Sequence, residues 1–561
     1  MKVEVIKSLR FTKISLKDLD KLIEVPKDSL MGDYAFPCFS LSKQFKKNPA
    51  EIARELSKKI KLGKNFEKID VKGGYINFFV NKEKLAGQVI DRITKEKDNY
   101  GRGKHSKKRV MIEFSQPNTH KAFHVGHVRG TSLGESIARI NEFCGNKVLR
   151  ANYSGDTGMH IAKWIWCYTK YHSKKELSDD ERFFANIYSD AIGRLEKNEN
   201  WQNEVEKINK KLDSRSDKEL NKIWKETRKL SIKSWDKIYH ELNTKFDIHF
   251  FESDVEKAGK KIAKELVKKN IAEISDGATI IDFVKAGKPN LGVLVLLRKD
   301  GTVLYGSKDL ALAKRKFYDF KIDESIYVIG REQDMYIHQI FETLKLINKN
   351  KNKSIYVPVS EVRLPWGKMS SRTGDNVLYS DFKKELVEFS LKEIEKRFEN
   401  LDNIEIYDRA LAVTIASLKY SMLKQDTNKN LIFDKKKTMK FEGDTGPYLL
   451  YSYARSQSIL KKAAYKKQKK FKIKDINNFE KNLVSNLAIF PEVVRASFLG
   501  LAPNIIANYS YKLAKSFSEF YHNCKVIDSE KEQFRLKLVD SFSQTLKNSL
   551  YLIGIQVIPE M

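Results

Sequence analysis

The stretch RVMIEFSQPNTHKAFHVGHVRGTSLGESIARINEFCGNKVLRANY, Arg109 to Tyr153, decides the fold. Its opening run, Arg109 to Phe114, is short and apolar, suited to a strand buried on both faces of a parallel sheet. Val128, Leu133, Ile137, Ile140 and Phe143 then fall on one helical face, and Gly145 is placed to end that helix. Lys147 to Tyr153 reads as the next strand. Strand, loop, helix and strand within about 40 residues make a βαβ unit. Ligands of such sheets bind beyond the carboxyl ends of the strands.

The loop Ser115–Gly130 occupies that place. It gathers His120, Lys121, His124 and His127 in a chain with 10 histidines. His124 and His127 share a face if the helix begins near Gly126. Gly126 admits close backbone approach. A helix N-terminus offers free N–H groups and a positive dipole end, both suited to phosphate. Two imidazoles there can donate to phosphate oxygens and stabilise charge built up in a transition state. A metal pair is the competing reading, but no third ligand stands at suitable spacing.

A second basic loop lies downstream. Trp366–Val377, WGKMSSRTGDNV, combines two cations, two serines and a glycine turn. Lys368 and Arg372 have the reach for a triphosphate, which the serines can hydrogen-bond.

Working outward, Asn48 and Pro49 begin a helix through Ile52, Leu56 and Ile60, and VKGGYINFFV reads as a turn feeding a strand. Residues 1–100 form a small α/β domain. The polar segment Lys95–Lys108 looks like a linker. A Rossmann-type parallel-sheet domain over 105–400 carries a helical insertion at about 170–290, charged from Glu176 to Asn243. Asp300-Gly301 marks a hairpin among later strands. Residues 405–561 read as all-α. Lys461–Lys474 is a basic strip with interleaved aromatics.

With 561 residues, 41% of them hydrophobic, the chain holds roughly three or four domains. Its formal net charge of +32 points to a polyanionic partner, nucleic acid before anionic membrane, unless lysine-rich codon usage accounts for it. The 4 cysteines are scattered, with no pair at zinc-ligand spacing. That usage fits a reducing compartment. No signal peptide or bilayer-length apolar run stands out, so a cytoplasmic protein without a membrane partner is expected.

HVGH with a distant KMSSR resembles the two signatures of class I aminoacyl-tRNA synthetases. The surrounding text resembles the arginyl members: SQPNTHKAFHVGH, RANYSGDTGMHIA, VLYGSKDLALA and YVIGREQDMYIHQIFETLKL in the catalytic part, GDYAFPCFSLSKQFKKNPAEIA and GGYINFFV before it, TGPYLLYSYARSQSIL and LKNSLYLIGIQVIPEM after it. The resemblance covers nearly the whole chain in order. It implies an arginine–tRNA ligase using ATP with Mg²⁺, L-arginine and tRNA(Arg), acting as a monomer. The N-terminal domain would bind tRNA and the C-terminal one the anticodon.

Residue by residue, the resemblance assigns His124, Gly126, His127, Lys368, Met369 and Ser370 to ATP. His124 and His127 also stabilise the reacting phosphate. Lysine is expected where Ser371 stands. Lys121 takes over its charge, and Arg372 adds another. Asn118, Glu252, Tyr305, Asp309 and Gln333 would hold arginine, with Glu113 and Ser115 as walls. Asp309 also reads as a helix N-cap. Gln116 stands where many relatives have serine. Asn77 would touch tRNA. Tyr448, Tyr451, Tyr453 and Arg455 offer stacking faces and a cation for unpaired bases, although at least half of that set is expected in the core. Cysteinyl- or glutamyl-type synthetases, and an RNA-binding paralogue without catalysis, are the alternatives. The missing zinc ligands and the intact HVGH and Asp309 weigh against them.

Overall fold

The computed structural model describes all residues except 1, 27, 29–30, 104–105, 349–352, 366, 369–377, 397–401 and 467–472. The chain forms two compact units. One comprises Met1–Tyr100, Ile459–Ile489 and Lys515–Thr545; the other comprises Gly101–Ser458, Phe490–Ala514 and Leu546–Met561.

In the second unit, β1 (Arg109–Glu113) leads to α1 (Val125–Phe143) and β2 (Lys147–Ser154). Cys144 and Gly145 (φ 100°) end α1 as expected. Three helices, Glu181–Lys197, Trp201–Asp213 and α2 (Lys218–Glu241), precede β3 (Ile248–Phe251) and α3 (Glu252–Lys268). After α4 (Tyr305–Asp319) come β4 (Glu324–Gly330), α5 (Asp334–Asn348) and β5 (Lys353–Val359). The five strands are parallel in the order β5-β4-β1-β2-β3. The order reverses between β1 and β4, and such a switch point opens a crevice at the carboxyl ends.

The helical insertion expected over about 170–290 is shorter. Ile248–Phe251 pairs with Ala151–Ser154 and belongs to the parallel sheet. Beyond α3, residues 273–297 form an antiparallel three-stranded sheet, not helix. Strand structure ends near Leu297 and the bridge at Val303, and YGSKD already lies in α4. Asp309 is therefore in the second turn of α4, and Leu304 takes the N-cap position.

In the first unit, strands Tyr34–Pro37, Tyr75–Val80 and Phe66–Lys72 form an antiparallel sheet around the Gly73-Gly74 turn. Asn48 caps the helix Pro49–Lys59 by accepting from the Ala50 amide at 2.9 Å. The expected linker is partly helix: Lys95 and Glu96 complete Lys82–Glu96 and Tyr100 is buried. Past Asn403 the described residues are helical apart from the two-residue strand Leu431–Ile432. Asn478–Gly500 reaches a mean hydropathy of 1.3 over bilayer length, but it is broken into two helices at Ile489.

Gly134 of α1 lies against the end of β1. A Cβ there would sit 2.0 Å from Cγ of Phe114. Gly134→Ala should lower the thermal midpoint, because the clash costs ~1–3 kcal/mol and the helix gains only ~1 kcal/mol. An unchanged midpoint would mean that Phe114 does not hold α1 against β1.

Candidate active site

Three cavities meet at the histidine loop. The first, about 360 Å³, is lined by Ser115, Gln116, His124, Gly126, His127, Gly330 and Gln333, with the wall 359–362 opposite. The second, about 490 Å³, holds Glu113, Asn118, Lys121, Glu252, Tyr305 and Asp309. The third, about 790 Å³, touches Lys121, His124, His127, Lys163 and Leu378. Gln116 and Gln333 border the first two, and Asn118 and Lys121 the last two. The first two cavities flank the switch point of the sheet.

The helix start is tightly built. His124 is the N-cap of α1, and its N–H donates to Nδ1 of His127 at 3.1 Å, while the His127 N–H donates to the His124 carbonyl at 2.8 Å. The two rings stack with centroids 3.9 Å apart. Because Nδ1 of His127 accepts, its proton sits on Nε2. Burial lowers both imidazoles, His124 to about 4, so both are neutral near pH 7. His120, the third histidine of the loop, is fully buried and bonded to Thr227 at 2.7 Å. It braces the loop and lines none of the three cavities.

The loop carrying the second basic motif is anchored beside the first. Gly367–Lys368 pairs antiparallel with Val362–Leu364, and Leu378 bridges His124. The Tyr379 N–H donates to the Phe123 carbonyl at 3.0 Å. Arg129 of α1 is buried and donates to the carbonyls of Ser360 and Glu361 on one side and of Asp426 and Lys429 on the other. Both flanks of residues 369–377 thus sit on one rim. Met369, Ser370, Ser371 and Arg372 lie outside the described residues, as does the Lys368 side chain.

In the second cavity most charges are paired. Glu113 is buried and ion-paired with Lys316, and it accepts from Gln116 Nε2 at 3.0 Å. Glu252 pairs with Lys308 at 3.0 Å. Asp309 accepts from the Tyr336 hydroxyl and has no ion-pair partner among the described residues. Burial pushes its carboxyl up to about 7. Lys121 is lowered by burial and by Lys163, and its ammonium lies 5.2 Å from the Tyr188 ring centroid. Asn118 accepts from the Gly155 amide at 3.2 Å. Tyr305 and Gln333 are exposed at the mouth. Ser115 is buried and bonded to Tyr239 and Thr131, so its hydroxyl is committed to the scaffold.

Sequence reasoning missed the partners. Tyr153, His160, Lys316 and Tyr336 also line this cavity. The Tyr153 hydroxyl and Nε2 of His160 are buried without a hydrogen-bond partner. Lys316 lies two helical turns after Asp309, a spacing that marks it on the same face; the others carry no local signal.

Two expectations need correction. Asn77 is fully buried inside its sheet, closed to a macromolecular ligand. Tyr448, Tyr451, Tyr453 and Arg455 are all half-buried, none of them fully in the core. Tyr448 meets the Tyr511 ring edge-on, and Arg455 stacks on Tyr451 at 4.6 Å. They lie on the helix Gly446–Lys462, where Tyr448, Tyr451 and Arg455 share one face and Tyr453 lies off it. Outside the cavities, Cys167, His172 and Asp190 come within 4.8 Å of one another, a cluster not expected from the sequence. Its carboxylate already pairs with Arg194 at 2.9 Å.

The sequence matches the family model described as tRNA synthetases class I (R), catalytic domain, over residues 89–435. It also matches the DALR anticodon binding domain over 449–561 and the arginyl tRNA synthetase N terminal domain over 2–80. An arginine–tRNA ligase of Clostridium perfringens is 34% identical over 558 residues, 98% of this chain and 97% of the relative. One of Clostridium acetobutylicum is 35% identical over 554 residues, with 98% and 97% covered. In fold, the chain is similar to the Thermus thermophilus arginyl-tRNA synthetase structure, with TM-score 0.82 at 23% identity, covering 100% of this chain and 99% of that one. The Plasmodium falciparum arginyl-tRNA synthetase structure gives TM-score 0.79 at 23% identity, with 100% and 98% covered.

Asp309 sets a pH-dependent stability. Its folded value of about 7 lies above the ~3.9 of an unfolded aspartate. Stability is therefore highest below the unfolded value and falls as pH rises through about 7. Asp309→Asn removes the burden and should raise the thermal midpoint more at pH 8 than at pH 5. Equal gains at both would contradict the carboxyl's environment.

Proposed function

The chain belongs to the arginyl-tRNA synthetase family of class I, and from that premise we propose that its sheet crevice joins L-arginine to ATP and passes the arginyl group to tRNA(Arg). A carboxylate oxygen of arginine attacks the α-phosphorus, the bond to pyrophosphate breaks, and arginyl-adenylate forms. A hydroxyl of the tRNA's terminal ribose then attacks the arginyl carbonyl, and AMP leaves. Positioning and charge stabilisation carry most of such a transfer.

The observation that carries this reading is the unpaired acid. Of the three carboxylates in the second cavity, Asp309 alone lacks a cationic partner among the described residues. A guanidinium entering there finds one acceptor waiting and an aromatic wall of Tyr153, Tyr305 and Tyr336. Asn118 and Gln333 suit the amino acid's backbone end, and the orphaned Tyr153 hydroxyl and His160 nitrogen suit its ammonium and carboxylate. Glu252 serves by holding Lys308, and Glu113 by holding Lys316.

ATP belongs in the first cavity, with adenine against Gly126. His127 Nε2–H and His124 act as neutral dipoles toward the phosphates. Formal positive charge comes from Lys121, from Lys368 and from Arg372, with Met369 and Ser370 completing the contact. Imidazoles, amides and lysine suit phosphate oxygens rather than a dedicated metal cage, so Mg²⁺ enters as the counter-ion of the triphosphate. We assign residues 1–100 to tRNA binding, 105–400 to catalysis and 405–561 to the anticodon, read by Tyr448, Tyr453 and Arg455. The protein works as a cytoplasmic monomer without a membrane partner.

Aminoacylation of total tRNA with each of the twenty amino acids tests the reading, and arginine alone should be incorporated. His127→Ala should lower kcat about 10²–10³-fold, and Lys121→Met should slow the reaction comparably. The apparent affinity for arginine should rise with pH through about 7 as Asp309 ionises. Charging with another amino acid, or undiminished turnover by both variants, would refute the assignment.

A further inference from the structure

Helix α2 has two functional faces. Its buried side carries Trp224, Thr227, Ser231, Ser234, Trp235, Ile238 and Tyr239. That side braces the histidine loop and its neighbours. Thr227 and Ser231 hydrogen-bond His120, Trp224 donates to the Asp156 carbonyl at 2.8 Å, and Tyr239 meets Ser115 at 2.9 Å.

The opposite side carries Lys218, Lys222, Lys225, Lys229, Lys233 and Lys237, every one exposed. Steps of three or four residues keep them in one stripe. At 1.5 Å per residue the stripe runs about 28 Å. Lys233 and Lys237 share Asp179. Lys218, Lys222, Lys225 and Lys229 form no ion pair among the described residues. Glu219 and Glu226 flank the stripe, and Asp236 interrupts it near its far end. At its near end a groove lined by Arg215, Lys218, Asn221, Lys222, Lys225 and Glu226 surrounds Trp224, on whose ring Arg215 stacks at 3.9 Å.

Four lysines without an ion pair among the described residues, aligned along one helix face, repel one another. Such a surface is stabilised by a ligand whose negative charges repeat along a line. It has no shape for a single phosphate, and it lies a helix diameter, about 10 Å, from the face that braces the reaction loop. A strand whose 3′ end enters the crevice carries its next phosphates outward past the elements packed around the site, and α2 is one of these. We propose that the α2 lysine stripe is the track for the phosphate backbone of the tRNA arm leading to that 3′ end. This rests on the aminoacylation reading above. The lysines add affinity and orientation without reading sequence.

The test compares the full-length enzyme with a variant carrying Lys218→Gln, Lys222→Gln, Lys225→Gln and Lys229→Gln together, and with one carrying arginine at the same four positions. The glutamine variant should show a KM for tRNA raised about tenfold near 0.15 M salt. Its log–log salt slope should be shallower by about 3–4, from ~0.9 per phosphate contact. KM for arginine and for ATP should stay as in the wild type. The arginine variant should restore KM for tRNA, since it keeps the charge. An unchanged KM and slope in the glutamine variant would overturn the proposal, as would failure of the arginine variant to rescue. Loss of flotation with phosphatidylserine vesicles at unchanged KM for tRNA would assign the stripe to a membrane and equally overturn it. Failure of the underlying reading would show differently, as a wild-type enzyme that charges no tRNA with arginine.

Discussion

The parallel pairing of Glu324–Tyr327 with Val110–Glu113 is the constraint on which the site depends. It joins segments more than two hundred residues apart and puts two carboxyl ends side by side where the strand order reverses. Chain leaving β1 turns one way and chain leaving β4 the other, so the backbone opens a crevice that side chains need only line. The turn out of β1 is strained to do this: Ser115, Gln116 and His120 have φ of 78°, 54° and 63°. Such residues persist only where surroundings over-determine them. Asn152 accepts from the Gln116 amide at 3.1 Å, and Ser231 and Thr227 grip His120, so β2 and α2 together hold the loop in shape.

Charge is distributed on the same principle. Several buried carboxylates are paired, as Glu113 with Lys316, Glu252 with Lys308, and Glu135 with Arg139 and Arg150. Removing one partner of such a pair strands a buried charge, at a cost of ~3–5 kcal/mol. These groups are therefore fixed and stiffen the walls. In the second cavity, Asp309 and Lys121 are left without an ion pair among the described residues, one acidic and one basic.

The βαβ unit was legible because it is local: apolar period, glycine stop and short connections all sit within Arg109–Tyr153. The neighbourhood of the histidines was legible for the same reason. Ile248–Phe251 was not, since four residues hold too little pattern to separate a strand from helix, and only pairing with β2 makes it one. Asp309 looked like a cap because Asp before LALAK is a capping pattern, yet α4 already starts at Tyr305, with Gly306 three residues before the aspartate. Asn77 is assigned to tRNA only through the role that the resemblance gives its domain, whereas the sheet buries both faces at that point. Tyr153, Tyr336 and His160 act through contacts between distant segments, for which a single sequence has no period; only Lys316, on the Asp309 face of α4, carried a local signal.

The site is electrostatically unfavourable twice over, with opposite signs. Burial holds the Asp309 carboxyl up toward its neutral form, and burial with Lys163 lowers the Lys121 ammonium toward its neutral form. Each group would be relieved by a ligand of the other charge. Both line the second cavity, one toward its depth and one toward the histidines, so a ligand pair that is cationic at one end and polyanionic at the other relieves both together. Neutral imidazoles between them fit this arrangement. A charged pair at His124 and His127 would draw the phosphates too tightly in the ground state, whereas oriented N–H dipoles gain most where negative charge grows during reaction. With Leu378 bridging His124 and Arg129 clamping Ser360 and Glu361, both flanks of residues 369–377 are held on the same rim. A ligand pair that relieved both charges would release binding energy that is available for aligning its reacting groups.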